Sequence, residues 1–322
     1  MIEPLFLKPY FQEKMWGGTR LKSEFGCQIP SDHTGECWAI SAHPHGRAIV
    51  ENGEFSGVPL DQLWQEHREL FGNAKGKVFP LLTKILDAHR DLSVQVHPDD
   101  NYAAEHEHEL GKTECWYIIA AKPDAKLIYG HTAQTRAELA EMIKQQKWQQ
   151  LLRYVPVKAG DFFYVPSGTI HALGAGIMAL ETQQSSDTTY RVYDFDRVDP
   201  TTHQKRQLHL QQSIDVTNVP HVDPRLQSKK YRVGDAQVIQ YVETDFFAVY
   251  RWDLAGGGTA NFVRKDAPYT LMSVLSGSGQ LQINGQDYSL KKGQHLILPF
   301  QVKSWKISGQ LEIIASEPGE KS

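Results

Sequence analysis

The chain has 322 residues, 40% hydrophobic and 10% aromatic, with 34 basic against 38 acidic side chains and a formal net charge of −4. It is long enough for two domains with separate cores, and it has no basic run that could track a phosphate backbone, which argues against nucleic acid as a partner. Its N-terminus lacks a signal-peptide core and no segment approaches a membrane span. Three cysteines without CxxC spacing supply neither a disulfide framework nor a thiolate metal site, so a cytoplasmic protein with no membrane partner is expected.

Twenty-five glycines and sixteen prolines suit many short strands joined by turns, and the fold is expected to be mainly β. Leu60, Leu63, Trp64, Leu70 and Phe71 recur at helical spacing up to Gly72, which predicts a helix over about 59–72. Next comes Ser93-Val-Gln95-Val-His97-Pro-Asp-Asp. On an extended strand, residues two apart share a face, so Gln95 and His97 point into one cavity while Val94 and Val96 pack behind them. A short helix is predicted over 99–110, stopping at Gly111. Lys112 and Glu114 follow, again with one shared face if the segment is extended. Thr135 and Glu138 form a capping-box pattern at the start of a third helical stretch, 135–152. These three insertions are expected to wall one side of a β-barrel.

Strand signals strengthen from Asp161. Gly160, Pro166, Gly168 and His171 form the pattern Gly-x5-Pro-x-Gly-x-x-His, which couples a turn glycine, a strand-end proline and a possible ligand at fixed register. Two alternating runs then flank Ser185-Ser186-Asp187. If they form a hairpin, Glu181 pairs with Arg191 across it; such a pair is as readily an ordinary cross-strand ion pair as a catalytic one. The stretch 196–233 has no sustained period. It marks a boundary between a catalytic domain over 1–225 and a C-terminal β domain over 226–322.

A weak repeat crosses that boundary: Val157-Lys-Ala-Gly160 with Pro166 matches Leu290-Lys-Lys-Gly293 with Pro299, and Ser304 stands where His171 does. The second barrel is therefore expected to be metal-free and structural. Asn284-Gly285 within it signals a two-residue hairpin.

Gln95, His97, Glu114 and His171 together supply one negative charge, so a divalent cation held by them keeps a net positive field at its open position. That field stabilises a developing oxyanion. Mixed nitrogen and oxygen donors suit zinc, with manganese, cobalt, nickel or iron as substitutes. A lone His or Glu on a half-buried strand is ordinarily a satisfied polar group; the four together, in this arrangement, point to a metal site. His106 and His108 do not join them, because residues two apart on a helix face about 200° from each other. Lys112, beside a cation, is placed to move a proton or to hold a phosphate.

These segments resemble the type I mannose-6-phosphate isomerases in their short bacterial form. The resemblance rests on Ser-Val-Gln-Val-His-Pro-Asp-Asp, Gly-Lys-Thr-Glu, Pro-Ser-Gly-Thr-Ile-His-Ala and Ser-Asp-Thr-Thr-Tyr-Arg-Val-Tyr-Asp in that order, with Trp16-Gly17-Gly18 and Gly35-Glu36-Cys-Trp38 before them. It implies a cupin-type jelly-roll barrel with helical insertions followed by a second, metal-free cupin-like barrel. It also implies one zinc ion on Gln95, His97, Glu114 and His171, an active site containing Arg191, Lys112 and Glu181, and Ser93 near the substrate. The implied reaction interconverts D-mannose 6-phosphate and D-fructose 6-phosphate through a cis-enediol. Glu181, Lys112 and a metal-bound water all remain open as the proton-transfer group, Lys112 being preferred over Glu181 only if Arg191 locks the latter. Two other readings compete: a different cupin metalloenzyme, such as a dioxygenase or sugar epimerase, and a non-catalytic sugar-phosphate-binding protein. The sequence does not choose between a monomer and a weak homo-oligomer.

Overall fold

The computed structural model describes residues 3–199 and 203–322, and it is mainly β. Two antiparallel sheets form the layers around the site. One has six strands in the order Phe162–Val165, Glu114–Ala121, Ile177–Gln184, Leu81–Ala88, Thr34–Ile40 and Tyr10–Gly18. The other has five, in the order Leu152–Pro156, Lys126–His131, His171–Ala172, Val94–Val96 and Tyr190–Tyr193. The central strands Leu81–Ala88 and Ile177–Gln184 are buried at every position, because both of their faces are covered. On one face Leu86, Trp116, Ile118 and Ala179 pack with Leu127 and Tyr129 of the opposing sheet and with Leu173 just beyond its strand His171–Ala172. On the other, Leu81, Ile85, Tyr117 and Leu180 join a core shared with Phe247, Val249, Leu271 and Ile314.

Those last residues belong to a ten-stranded sheet made chiefly from the C-terminal part of the chain, with its own core around Trp252, Phe262, Met272 and Trp305. This sheet also takes in Leu5–Lys8, whose Leu5 pairs with Ile297. The N-terminal strand thus stitches the expected catalytic region to the expected C-terminal one through the backbone. Side chains add to the joint: Phe162 stacks on Tyr241 with ring centroids 4.5 Å apart, and Thr182 Oγ1 lies 3.1 Å from Ser316 Oγ.

The three helical stretches are present, in pieces. Leu60–Glu66 continues as a 3-10 turn, Arg68–Phe71, and ends on Gly72 in the left-handed region. Asp99 caps Asp100–His106, and Thr135 caps Arg136–Lys144 by accepting from the Glu138 N–H. Two further helices, Arg20–Phe25 and Leu210–Val216, were not anticipated from the periodicity. The repeat is visible as well: Gly160 and Gly293 share φ near +88° and +86°, and each donates its N–H to the neighbouring strand, at Ile118 and Val274. Asn284 and Gly285, both at positive φ, turn the hairpin that pairs Ile283 with Gln286.

One expectation fails. Ile177–Gln184 and Tyr190–Tyr193 do not form a hairpin, because they belong to different sheets. Glu181 pairs with Lys84 and Trp116, whereas Arg191 pairs with Gln95. The turn-like residues between them are a crossover from one layer to the other.

Candidate metal and active site

Strand register builds the site. In the five-stranded sheet, His171 pairs with Gln95 and Gln95 with Arg191, so these three stand in one row on one face. In the six-stranded sheet, Trp116 pairs with Glu181 and Glu181 with Lys84, and Glu114 is two residues before Trp116 on the same face.

His97, Glu114 and His171 are all buried, with ligand atoms within 4.8 Å of one another. The His97 Nε2 lies 3.4 Å from Glu114 Oε2, and the His171 Nε2 lies 3.2 Å from Glu114 Oε1. Such separations fit neighbouring ligands about one ion, since a tetrahedral site with ~2.1 Å bonds spaces its donors by about 3.4 Å. Both imidazoles are oriented from behind: His97 Nδ1 donates to the Thr188 carbonyl at 2.9 Å and His171 Nδ1 to that of Thr169 at 2.8 Å. Each ring then turns a bare Nε2 toward Glu114, the arrangement a metal-binding histidine needs. Burial, reinforced by the Lys112 charge, pushes the His97 pKa down to about 3, and burial lowers that of His171. Burial works against the Glu114 carboxylate, yet Lys112 and the two histidines hold its pKa well below the ordinary range. Neither buried Glu114 oxygen has a hydrogen-bond donor. A cation satisfies that pair of orphaned acceptors, so the residues fit the group. The Gln95 amide, 3.3 Å from His171 Nε2, reaches the cluster from the more open side.

Gly168 explains part of the Pro-Ser-Gly-Thr-Ile-His pattern. Its N–H donates to the His97 carbonyl at 2.8 Å, φ is +80°, and a Cβ there would sit 2.5 Å from Asn218 Nδ2. The turn before one histidine is thus fastened to the backbone of the other, and only glycine fits.

Lys112 and Glu114 share a face, as expected: the Lys112 Nζ is 3.4 Å from Glu114 Oε2 and 3.1 Å from His97 Nε2. Glu181 is buried, accepts from Trp116 Nε1 at 2.8 Å and lies 3.6 Å from the Lys84 Nζ. Burial and the neighbouring Glu114 carboxylate push its pKa up to about 7, against the pull of Lys84 and Lys112. Arg191 is half-buried, with its Nε 3.3 Å from the buried Ser93 Oγ and its Nη1 donating to the Gln207 carbonyl at 2.8 Å. Ser93 and Arg191 therefore meet.

Residue reasoning gave no role to Lys84, Glu36 or Trp116. Lys84 bridges Glu181 and Glu36, the latter at 3.8 Å, and Glu36 also accepts from Trp38 Nε1 at 2.6 Å. Burial would raise the Glu36 carboxyl, but Lys84 and Lys14 draw it down to about 2. For Lys84, burial is outweighed by Glu36 and Glu181. A lysine in the middle of Leu-Leu-Thr-Lys-Ile-Leu was the available signal, because a charge in a fully buried strand requires buried partners.

Comparison with known proteins decides the family. Residues 5–120 match the model for "Phosphomannose isomerase type I, catalytic domain", and residues 237–318 that for "Mannose-6-phosphate isomerase, cupin domain". Mannose-6-phosphate isomerase of Streptococcus mutans is 56% identical over 99% of this chain and all of its own length. The chain belongs to the type I mannose-6-phosphate isomerases. Bacillus subtilis mannose-6-phosphate isomerase ManA is 51% identical, covering 98% of both chains. A crystal structure of a mannose 6-phosphate isomerase from the same organism superposes with a TM-score of 0.94 at 49% identity, covering 98% of this chain and 99% of that one. The cupin match over residues 237–318 agrees with the mainly β layers.

Proposed function

We propose that this chain interconverts D-mannose 6-phosphate and D-fructose 6-phosphate, with one zinc ion held by Gln95, His97, Glu114 and His171. Membership of the type I family supports the reaction. The observation that carries the site is the buried Glu114 carboxylate, which faces the unprotonated Nε2 atoms of two imidazoles and has no hydrogen-bond donor of its own. Among divalent ions, zinc suits a set of two imidazoles, a carboxylate and an amide. Held by these residues, it would supply fixed positive charge to stabilise the oxyanion that develops on the open-chain sugar.

The isomerisation removes a proton from C2 and returns one to C1 through a cis-enediol. Glu181 is the base in this reading: burial, with the Glu114 carboxylate beside it, raises its pKa above the ordinary carboxyl value and so favours proton uptake. Trp116 and Lys84 fix its position from two sides, and Arg191 does not lock it. Lys112 lies beside Glu114 and His97, where its ammonium group donates to substrate oxygens as negative charge grows. Arg191, with Ser93, binds the phosphate through a planar guanidinium suited to paired oxygens. A cytoplasmic location is part of this reading, supported by three cysteines that form no disulfide and by a phosphorylated substrate. Among the described residues no helix is long and apolar enough to cross a membrane.

The direct test is to incubate the purified protein with mannose 6-phosphate and follow the sugar carbons by NMR. Fructose 6-phosphate should accumulate to equilibrium, and the reverse reaction should start from the ketose. An unchanged spectrum at high protein concentration with zinc present contradicts the assignment.

A further inference from the structure

The His97 ring is oriented by the Thr188 carbonyl, and Thr188 lies in the crossover between the two sheets, where no strand pairing fixes it. Something else must hold that carbonyl. One oxygen of Glu109, Oε2, accepts from the Ser186 hydroxyl at 2.9 Å, the Asp187 N–H at 3.1 Å, the Thr188 N–H at 3.2 Å and the Thr188 hydroxyl at 2.7 Å. Its other oxygen lies 3.2 Å from His43 Nε2. The His45 N–H donates to His43 Nδ1, which leaves the proton on Nε2 to point at Glu109. The carboxylate is therefore anchored from behind while it gathers four donors from three successive residues in front.

Glu109 sits just beyond the helix Asp100–His106, three residues before Lys112. Helix end, crossover and metal-facing histidine are joined through this one side chain. Hydrogen bonds to a charged acceptor are about twice as strong as neutral ones, and an outer partner of a metal-binding histidine sets its tautomer and ring orientation.

We propose that Glu109 is a positioning residue for the metal centre, clamping the 186–188 crossover so that the Thr188 carbonyl holds His97 as the Nδ1–H tautomer with Nε2 bare. The proposal rests on the reading of His97 as a zinc ligand. The clamp itself can be observed without the metal.

The test compares the full-length protein with Glu109→Gln, Glu109→Ala and Thr188→Val. Zinc affinity is measured by competition with a chromogenic chelator, and the His97 tautomer by 15N NMR of the metal-free protein. The clamp predicts a single Nδ1–H form of His97 in the parent and a mixture of tautomers in Glu109→Gln. It also predicts zinc binding weakened ~10- to 100-fold, with kcat largely restored at saturating zinc. Thr188→Val, which removes one of the four donors, should show a smaller change in the same direction and serves if the Glu109 variants do not fold. Val274→Ala, a core change in the C-terminal sheet, should lower Tm while leaving tautomer and zinc affinity unchanged. Parental tautomer and parental zinc affinity in the folded Glu109 variants overturn the proposal. A parent protein that binds no zinc defeats the metal reading, and the tautomer readout still decides the clamp.

Discussion

His97 and His171 turn their Nε2 atoms toward Glu114, whereas Arg191 meets Ser93 at the far side of Gln95. That separation predicts different losses. His97→Ala or His171→Ala should weaken zinc binding by ~100-fold or more and abolish turnover with it. Arg191→Ala should lower turnover ~100-fold with zinc content unchanged. Metal analysis alongside steady-state kinetics checks both, and equal zinc loss in all three variants would undo the division of roles. Glu181→Gln keeps the shape of the side chain and removes its proton transfer, so kcat should fall ~10²- to 10⁴-fold with zinc retained. A Glu181→Gln enzyme within a factor of a few of the parent would pass the role to Lys112. The buried His97–Glu114–His171 group was readable in outline because strand parity converts residue spacing into a shared face. Lys84 and Glu36 were not, because a residue's partners across a sheet follow from register, which the sequence states only indirectly.

Among the elements, the helix Leu60–Glu66 shows how an insertion is tied to the rest. Trp64 packs edge-on to Phe79 at 5.3 Å and against Phe71 at 5.1 Å, and both phenylalanines contact Tyr269 of the C-terminal part. All four rings are buried, so Trp64→Ala should cost about 3–5 kcal/mol of unfolding free energy. Denaturant titration measures this, and a cost below about 1 kcal/mol would show that the cluster relaxes freely. The helices themselves were legible from 3.6-residue periodicity and caps, since those signals are local. The crossover at 185–189 was misread for a related reason: short alternating runs around Ser-Ser-Asp look alike whether the chain folds back into its own sheet or passes to the other. The Glu109 contacts that distinguish the two cases come from more than seventy residues away. Likewise, nothing near Leu5–Lys8 announces that it joins a sheet made chiefly of residues beyond 229.

For the whole molecule, buried histidines link stability to pH. His97 and His295 are depressed to about 3 and about 4 from an ordinary 6.5, and His171 is also lowered. A histidine with a depressed folded pKa is neutral in the native state, so its contribution is complete above pH 6.5 and is lost as pH falls toward the folded value. The metal-free protein should therefore weaken between pH 6.5 and about 4, by about 1.4 kcal/mol per pH unit for each proton taken up on unfolding. Glu181 opposes this in part: its folded pKa is raised to about 7, so the native state gains relative stability as pH falls through that value toward 4.5. His131 and His209 are lowered as well, and Asp87 and Glu317 are raised, so five histidines stand against three carboxyls and leave a net loss, measurable by denaturant titration at pH 7.5 and 5. Stability that stays flat or rises over this interval would mean that the histidines are not held neutral.

Convergence of an amide, two imidazoles and a carboxylate on one catalytic cation is tested most directly by stripping and restoring that cation. The purified protein should hold about one zinc per chain, lose mannose 6-phosphate isomerisation in step with zinc on dialysis against a chelator, and regain it on titration with one equivalent. Stripped protein that isomerises the sugar phosphate at the original rate would contradict the account.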